Sequence, residues 1–179
     1  MPLFPISLKL RGRLCVVVGG GVIAESKIES LLAAEAHVVV IAPQVTETVI
    51  ARARAGQIEW QARAFAAEDL CGAFLVVAGT SSPQVNHEVF QQCEADGILC
   101  NVVDDPEYCH FYYPAVVRRG ALQIAISTEG QSPALAQAAQ GTRVAIWSGI
   151  RIVAGLAGRG AQIPPQRRER SGRDEAALA

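Results

Sequence analysis

Three consecutive glycines join an apolar run to a helix-forming segment, and this junction limits the possible folds more than any other stretch. Residues 14–18 read Leu-Cys-Val-Val-Val, which is typical of a buried strand, and residues 22–32 carry apolar side chains at helical spacing. Gly19, Gly21 and Ala24 fit the pattern G-x-G-x-x-A. The first glycine of that pattern permits a tight turn, the second lets a diphosphate approach the backbone, and the small third residue allows close helix packing.

A glycine triplet alone is a weak indication, because glycine-rich turns are common and a purely structural strand-turn-helix would look the same. The context favours a nucleotide site. A second apolar strand begins at His37, after a helix of the length that a parallel crossover needs. The helix would present unpaired backbone N–H groups and the positive end of its dipole to the phosphates.

Strand and helix patterns alternate along the first two thirds of the chain. This alternation predicts an α/β fold with an open, Rossmann-like parallel sheet, to which a small C-terminal element is attached. The expected strands are residues 14–18, 38–42, 58–60, 74–78 and 98–103, and the expected helices are residues 22–34, 45–55 and 83–95. Residues 111–117 and 122–126 have no helix between them and predict a hairpin. We expect a Rossmann domain over 1–112, a hairpin-plus-helix region over 113–150, and a poorly ordered Gly- and Arg-rich tail over 151–179.

The carboxyl ends of parallel strands meet at one edge of a sheet, where ligands bind. Four such ends are therefore expected to form one cleft: residues 19–23, 42–44, 78–81 and 101–105. The second end lacks the acid that usually binds a ribose hydroxyl, and Gln44 could replace it. No Arg stands there for a 2′-phosphate, so NAD is slightly favoured over NADP.

Two carboxylates, Asp104 and Asp105, follow the fifth strand in the run Asn-Val-Val-Asp-Asp-Pro. A carboxylate at a strand end can act as a general base when burial and a like-charged neighbour make it more basic. It can also bind a divalent metal. The alternative is an ordinary turn, since Asp-Asp-Pro is common turn chemistry. The residues themselves do not decide between these interpretations.

Other polar residues carry weaker signals. Cys109 and His110 could be metal ligands, but adjacent residues rarely form a site alone, and a packed loop is the alternative. His37 and His87 have the pattern of ordinary surface or helix residues, and Lys27 is expected to point outward from the first helix. Arg118 and Arg119 lie near the hairpin turn and could pair with carboxylates or simply be solvated.

Composition narrows the class of protein. Half of the 179 residues are hydrophobic and 18% are charged, which suits a globular protein with a sizeable core. The net charge of −1 gives no indication of nucleic-acid or acidic-membrane binding. Residues 144–156 are too short an apolar stretch for a membrane span and contain Arg151. The five cysteines, odd in number and without a C-x-x-C pair, favour reduced thiols in a cytoplasm.

With three motifs in hand, the chain resembles a known family. The motifs are the glycine triplet 19–21, Asn-Val-Val-Asp-Asp-Pro at 101–106, and Ser-Thr-Glu-Gly-Gln-Ser-Pro-Ala-Leu at 127–135. In this order they resemble the precorrin-2 dehydrogenase / sirohydrochlorin ferrochelatase family, the module that forms the N-terminal part of siroheme synthase. The resemblance covers residues 3–135, about three quarters of the chain.

The resemblance implies NAD-dependent oxidation of precorrin-2 to sirohydrochlorin in siroheme biosynthesis, with Fe²⁺ insertion into sirohydrochlorin in some members. It also implies a homodimer, in which the small C-terminal element after about Tyr113 is a dimerisation element. Asp104 is implied as the group that removes a proton and serves metal chelation. Substrate contacts are expected at Arg118, Arg119 and Ser127, and the serine of the last motif can be phosphorylated in some members. The expected cofactor contacts are Gly19, Gly20, Gly21, Val22, Ile23, Pro43, Gln44, Gly79, Thr80, Asn101 and Val102.

Two other functions are compatible with parts of the sequence. A non-catalytic NAD-sensing Rossmann module would bind nucleotide but would need no carboxylate at Asp104. A small dehydrogenase for another substrate is less well supported, because the chain has no Tyr-x-x-x-Lys pair and its only lysines are Lys9 and Lys27.

Overall fold

The computed structural model describes residues 3–119 and 122–127. Its main feature is a five-stranded parallel sheet with strand order β3-β2-β1-β4-β5. The strands are β1 (Leu14–Val18), β2 (His37–Ile41), β3 (Glu59–Gln61), β4 (Leu75–Ala78) and β5 (Leu99–Val102), and the helices are α1 (Val22–Ala33), α2 (Glu47–Arg54) and α3 (Pro83–Asp96). The strand order reverses between β1 and β4, so the predicted Rossmann-like α/β class is confirmed.

The central strands are buried on both faces, which explains their continuous apolar runs. On β1, Cys15 and Val17 face one layer of the core while Val16 and Val18 face the other. Helices α1 and α2 cover the first face with side chains that include Ile28, Leu31 and Val49. Helix α3 covers the second face with Val89 and Cys93. The period-two alternation of each strand therefore builds two separate hydrophobic layers around one sheet.

Helix ends follow the local chemistry of the sequence. Ser82 caps α3 by accepting a hydrogen bond from the amide of Val85 at 3.4 Å, and Pro83 occupies the first turn. Gly97 ends α3 in the left-handed conformation, with φ of 68°. Helix α2 begins after Thr46, whose hydroxyl caps Val49. The sequence pattern started α2 slightly early and missed two short 3-10 turns, Ala67–Leu70 and Pro106–Tyr108.

The chain leaves the parallel sheet after β5 and forms a separate antiparallel hairpin. Strands β6 (Ala115–Arg119) and β7 (Leu122–Ile126) pair only with each other among the residues that the structure describes. The predicted hairpin is confirmed, although its first strand begins four residues later than expected. All described residues belong to one compact unit. The expected helix of the 113–150 region, the tail and the proposed division at residue 150 lie outside the described residues.

The turn between β1 and α1 depends on a glycine at position 19. Gly19 has φ of 115°, and a Cβ built on it would lie 2.5 Å from the carbonyl oxygen of Gly79. That oxygen belongs to backbone at the end of β4, which cannot move without disturbing the sheet. Gly19 therefore satisfies a conformational and a steric requirement at once.

We expect Gly19→Ala to lower the free energy of unfolding by about 2 kcal/mol or more, because it combines backbone strain with overpacking. Urea denaturation measures the loss. Gly56→Ala is the matched control: Gly56 also has positive φ, at 67°, but a Cβ there would meet nothing within 4 Å. Equal losses in the two variants would show that the contact with Gly79 has no energetic importance.

Candidate cofactor and substrate site

The four strand ends lie side by side, as the sequence predicts. The hydrogen-bond ladder of the sheet continues one residue past each strand. Gly19 N–H donates to the Ile41 carbonyl, and Gly79 N–H donates to the Val18 carbonyl, both at 2.9 Å. Val103 N–H donates to the Ala78 carbonyl at 2.9 Å. The ends of β2, β1, β4 and β5 are therefore one continuous edge.

Gly20 joins the first strand end to the second. Its carbonyl accepts a hydrogen bond from Thr46 N–H at 3.0 Å, and a Cβ on it would lie 2.8 Å from the carbonyl oxygen of Gln44. The same Cβ would lie 2.2 Å from Val45 Cγ1. Gly20 is therefore required by the packing of the loop after β2. Pro43 and Gln44 are exposed on that loop.

Gly21 differs from the two glycines before it. A Cβ on Gly21 would meet nothing within 4 Å, so the space beside its Cα is open. Gly21 also caps α1 in an extended conformation and provides no side-chain hydrogen bond to the helix. The first N–H groups of a helix have no partner within the helix, so they are available here to an anion. Val22 and Ile23 are 75% and 52% exposed beside this opening. The glycine cradle, residues 19–23, thus fits the diphosphate of a dinucleotide.

The loop after β4 is held by a buried amide that the sequence analysis did not identify. Asn86, 7% exposed on α3, accepts the amide N–H of Thr80 at 3.0 Å and donates to the Thr80 carbonyl at 3.1 Å. Its Oδ1 also lies 2.7 Å from the Thr80 hydroxyl. These bonds fix the backbone around Gly79 and Thr80. The available signal was a polar residue in line with Val89 and Cys93 on the buried face of α3.

Asp104 lies at the end of the fifth strand in an unusual backbone conformation. Its φ is 60°, in the left-handed region that Asp tolerates better than most residues. The side chain is exposed and lines a cavity of about 310 Å³. Strained backbone of this kind often occurs at functional sites. The other residues of the cavity wall are Lys27, Asn101, Val102, Val103, Asp105, Pro106, Cys109, Tyr112, Tyr113, Pro114, Ala115, Ile126 and Ser127.

The two neighbouring carboxylates have different surroundings. Asp105 Oδ2 lies 3.0 Å from Nε2 of His87 on α3. The His87 ring stacks on Tyr108, with 3.9 Å between ring centroids. The expectation that His87 is an ordinary helix residue is therefore wrong, because it ties the loop after β5 to α3. Asp104 makes no ion pair within 4.0 Å among the described side chains. Its carboxylate is therefore available to a ligand in the cavity.

Asn101 holds the segment that follows the site. Its side chain is 7% exposed and donates to the Phe111 carbonyl at 2.8 Å and to Cys109 Sγ at 3.3 Å. Asn101 also forms an isolated antiparallel bridge with Cys109. The buried Asn101 amide thus holds the following segment, which includes Cys109 and Phe111, alongside β5. Asn101 and Cys109 both line the cavity.

Cys109 and His110 are each engaged in the packed loop. Cys109 Sγ donates to the Val102 carbonyl at 3.1 Å, and burial raises the pKa of this thiol. His110 Nε2 lies 2.6 Å from Glu94 Oε2, and its Nδ1 lies 3.0 Å from the Cys100 amide. Residues 3–119 and 122–127 contain no group of three or more potential metal ligands. The packed-loop interpretation therefore agrees with the structure.

Lys27 is the cavity residue that the sequence pattern misplaced. It was expected to point outward from α1, yet it is half-buried and lines the cavity with Asp104. Its Nζ lies 3.9 Å from the centroid of the Tyr113 ring. The helical pattern could not identify this, because Tyr113 reaches α1 from a segment more than 80 residues later in the chain.

The three predicted substrate contacts occupy different places. Ser127 lines the cavity. Arg118 is exposed and lies three residues along β6 from Ala115, so the strand pleat puts it on the opposite face from that cavity residue. Arg119 is placed at the end of β6, and its side chain lies outside the described part of the structure. Substrate binding by these residues stays a prediction.

Comparisons with known proteins agree with this geometry. A family described as "Putative NAD(P)-binding" matches residues 6–115, and one described as "Sirohaem biosynthesis protein central" matches residues 119–138. The solved structure of SirC, a precorrin-2 dehydrogenase, superposes with a TM-score of 0.71 and 31% identity over 78% of this chain and 69% of that one. The chain belongs to the precorrin-2 dehydrogenase family.

Longer members of this family extend the comparison. Siroheme synthase of Photorhabdus laumondii is 41% identical over 137 residues, which are 76% of this chain and 29% of that protein. Siroheme synthase 1 of Pectobacterium atrosepticum is 43% identical over 76% of this chain and 28% of its own length. The chain thus spans less than a third of these siroheme synthases. The described residues include no helix with the length and apolarity that a bilayer crossing requires.

In this member of the family, the importance of the open space at Gly21 for NAD binding can be tested separately from its importance for stability. We expect Gly21→Ala to change the free energy of unfolding by no more than about 1 kcal/mol, since the new Cβ meets nothing. NAD affinity should fall roughly tenfold or more, because the Cβ would occupy the place of the diphosphate. Calorimetric titration with NAD⁺ measures the affinity. Unchanged NAD binding by this variant would mean that the diphosphate lies elsewhere.

Proposed function

We propose that this protein oxidises precorrin-2 to sirohydrochlorin with NAD⁺, as a step of siroheme biosynthesis. The observation that carries the proposal is the shared sheet edge. It joins the open glycine cradle (residues 19–23) to Asp104 in the cavity wall. Family membership supports the choice of substrate and cofactor.

The oxidation removes a hydride and a proton from the substrate. NAD⁺, when bound, supplies the hydride acceptor. The glycine cradle would hold the diphosphate through backbone N–H groups at the start of α1, which leaves the side chains free for the substrate. Asp104 would accept the proton through its carboxylate, since it lines the cavity without an ion-pair partner among the described residues. The products are sirohydrochlorin, NADH and one proton.

We also propose that the same cavity inserts Fe²⁺ into sirohydrochlorin. Metal insertion requires that protons leave the macrocycle nitrogens while the metal approaches on an oxygen ligand. A carboxylate can do both. Asp104 would therefore serve both reactions, with the ferrous ion as a substrate.

A homodimer in the cytoplasm is the proposed form of the protein. The β6–β7 hairpin pairs with no other described strand, and isolated two-stranded hairpins are only marginally stable. Contact with a second copy would stabilise it. The five cysteines are free thiols, which fits the reducing environment of a cytoplasm.

We expect Asp104→Asn to reduce kcat for precorrin-2 oxidation on the order of 10²–10⁴-fold, because the amide cannot accept the proton. The appearance of sirohydrochlorin absorbance measures the rate, and calorimetry should show unchanged NAD⁺ binding. Glu107→Gln is the matched control, since Glu107 is an exposed acid nearby that does not line the cavity.

Two results would contradict this proposal in different ways. A normal oxidation rate in Asp104→Asn would remove Asp104 from the reaction. NAD⁺ binding by the unmodified protein without oxidation of any tetrapyrrole would instead favour the non-catalytic, NAD-sensing module. Repeating the assay with Fe²⁺ after oxidation is complete tests metal insertion separately.

A further inference from the structure

Lys27 places a positive charge in the cavity wall. It belongs to α1, the helix whose first turn forms part of the glycine cradle. It is the only basic residue among the described residues that line the cavity, and Asp104 belongs to the same wall. Its Nζ packs on the face of the Tyr113 ring at 3.9 Å from the centroid, a cation–π contact that orients the ammonium group. The position of this charge is thus set by the fold.

The Lys27 ammonium makes no direct salt bridge in the part of the chain that the structure describes. None of the ion pairs within 4.0 Å there includes Lys27. Burial lowers the pKa of Lys27, while the negative charge of Asp104 acts in the opposite direction. An ammonium group has three N–H donors and no acceptor, so a half-buried one is stabilised by anionic oxygens.

We propose that Lys27 binds a carboxylate of the tetrapyrrole and thereby fixes which edge of the macrocycle lies at Asp104. This inference rests on the proposed function, because it names a further contact of the same substrate. Precorrin-2 and sirohydrochlorin carry many carboxylates. One lysine on an aromatic ring can hold one of them and leave the others toward solvent.

The cofactor diphosphate is the other anion that could reach Lys27, and the geometry favours the carboxylate. Lys27 is the sixth residue of α1, so its Cα lies roughly 8 Å along the helix axis from Val22 at the helix start. The diphosphate has its own N–H donors at that start. The cavity around Lys27 is instead walled by Tyr112, Tyr113 and Ile126, which suit the apolar faces of a macrocycle.

Direct titration with sirohydrochlorin tests the contact without turnover. We expect the Kd of Lys27→Gln for sirohydrochlorin to rise on the order of tenfold, the usual result of losing a hydrogen bond to a charged group. Lys27→Arg should keep most of the affinity. The Kd for NAD⁺ should be unchanged in both variants. Lys9→Gln is the matched control, because it removes the only other lysine, which is exposed and outside the cavity.

Steady-state kinetics give the second readout. In Lys27→Gln, the KM for precorrin-2 should rise by the same factor as the Kd, with a much smaller change in kcat. A sirohydrochlorin Kd within twofold of the unmodified protein would overturn the proposal. Weaker NAD⁺ binding, alone or together with weaker tetrapyrrole binding, would also overturn it, and so would equal loss of affinity in Lys27→Arg and Lys27→Gln.

The two proposals can fail separately. If sirohydrochlorin binds in a Lys27-dependent way but precorrin-2 is not oxidised, the proposed function is wrong and the carboxylate contact is correct. If oxidation proceeds normally and the affinity for sirohydrochlorin does not depend on Lys27, only the carboxylate contact is wrong.

Discussion

The hydrogen-bond ladder of the parallel sheet is the constraint on which the site depends. It continues past the strands, through the amides of Gly19, Gly79 and Val103, and so aligns four loops along one edge. The ladder brings β1 and β4 so close at this edge that no side chain fits at Gly19. The open cradle after β1 and the carboxylate after β5 lie on the same edge, with the end of β4 between them, because backbone groups in adjacent strands must pair.

Two buried side-chain amides, those of Asn86 and Asn101, hold the loops of this edge in place. Asn86 fixes the loop after β4 by bonding both backbone groups of Thr80. Asn101 fixes the segment after β5 through the Phe111 carbonyl. Each amide is buried and bonded to backbone, and removing such a group leaves backbone partners unsatisfied. The loops of this edge are therefore held by side-chain bonds to backbone that are present without any ligand.

The cavity beside Asp104 is built from segments far apart in the chain. Helix α1 contributes Lys27, the loop after β5 contributes the carboxylate, and the hairpin contributes Ala115 and Ile126. The lining combines the aromatic and apolar side chains of Tyr112, Tyr113 and Ile126 with the opposite charges of Lys27 and Asp104. A flat macrocycle with charged substituents suits such a wall, since its faces and its edges require different surroundings. In the proposed function, helix α1 would contact both ligands, the cofactor at its start and the substrate further along.

The amino-acid sequence alone determined the fold class, the strands and helices, and the position of the open glycine turn between β1 and α1. These features follow from local signals: apolar periodicity, a glycine pattern, and Ser82 and Pro83 at the start of α3. The tertiary structure alone decided the rest. The different surroundings of Asp104 and Asp105 depend on His87, and the place of Lys27 depends on Tyr113. Local patterns report which face of an element is buried, but the identity of a charged group's neighbours depends on contacts between distant segments, which only folding brings together.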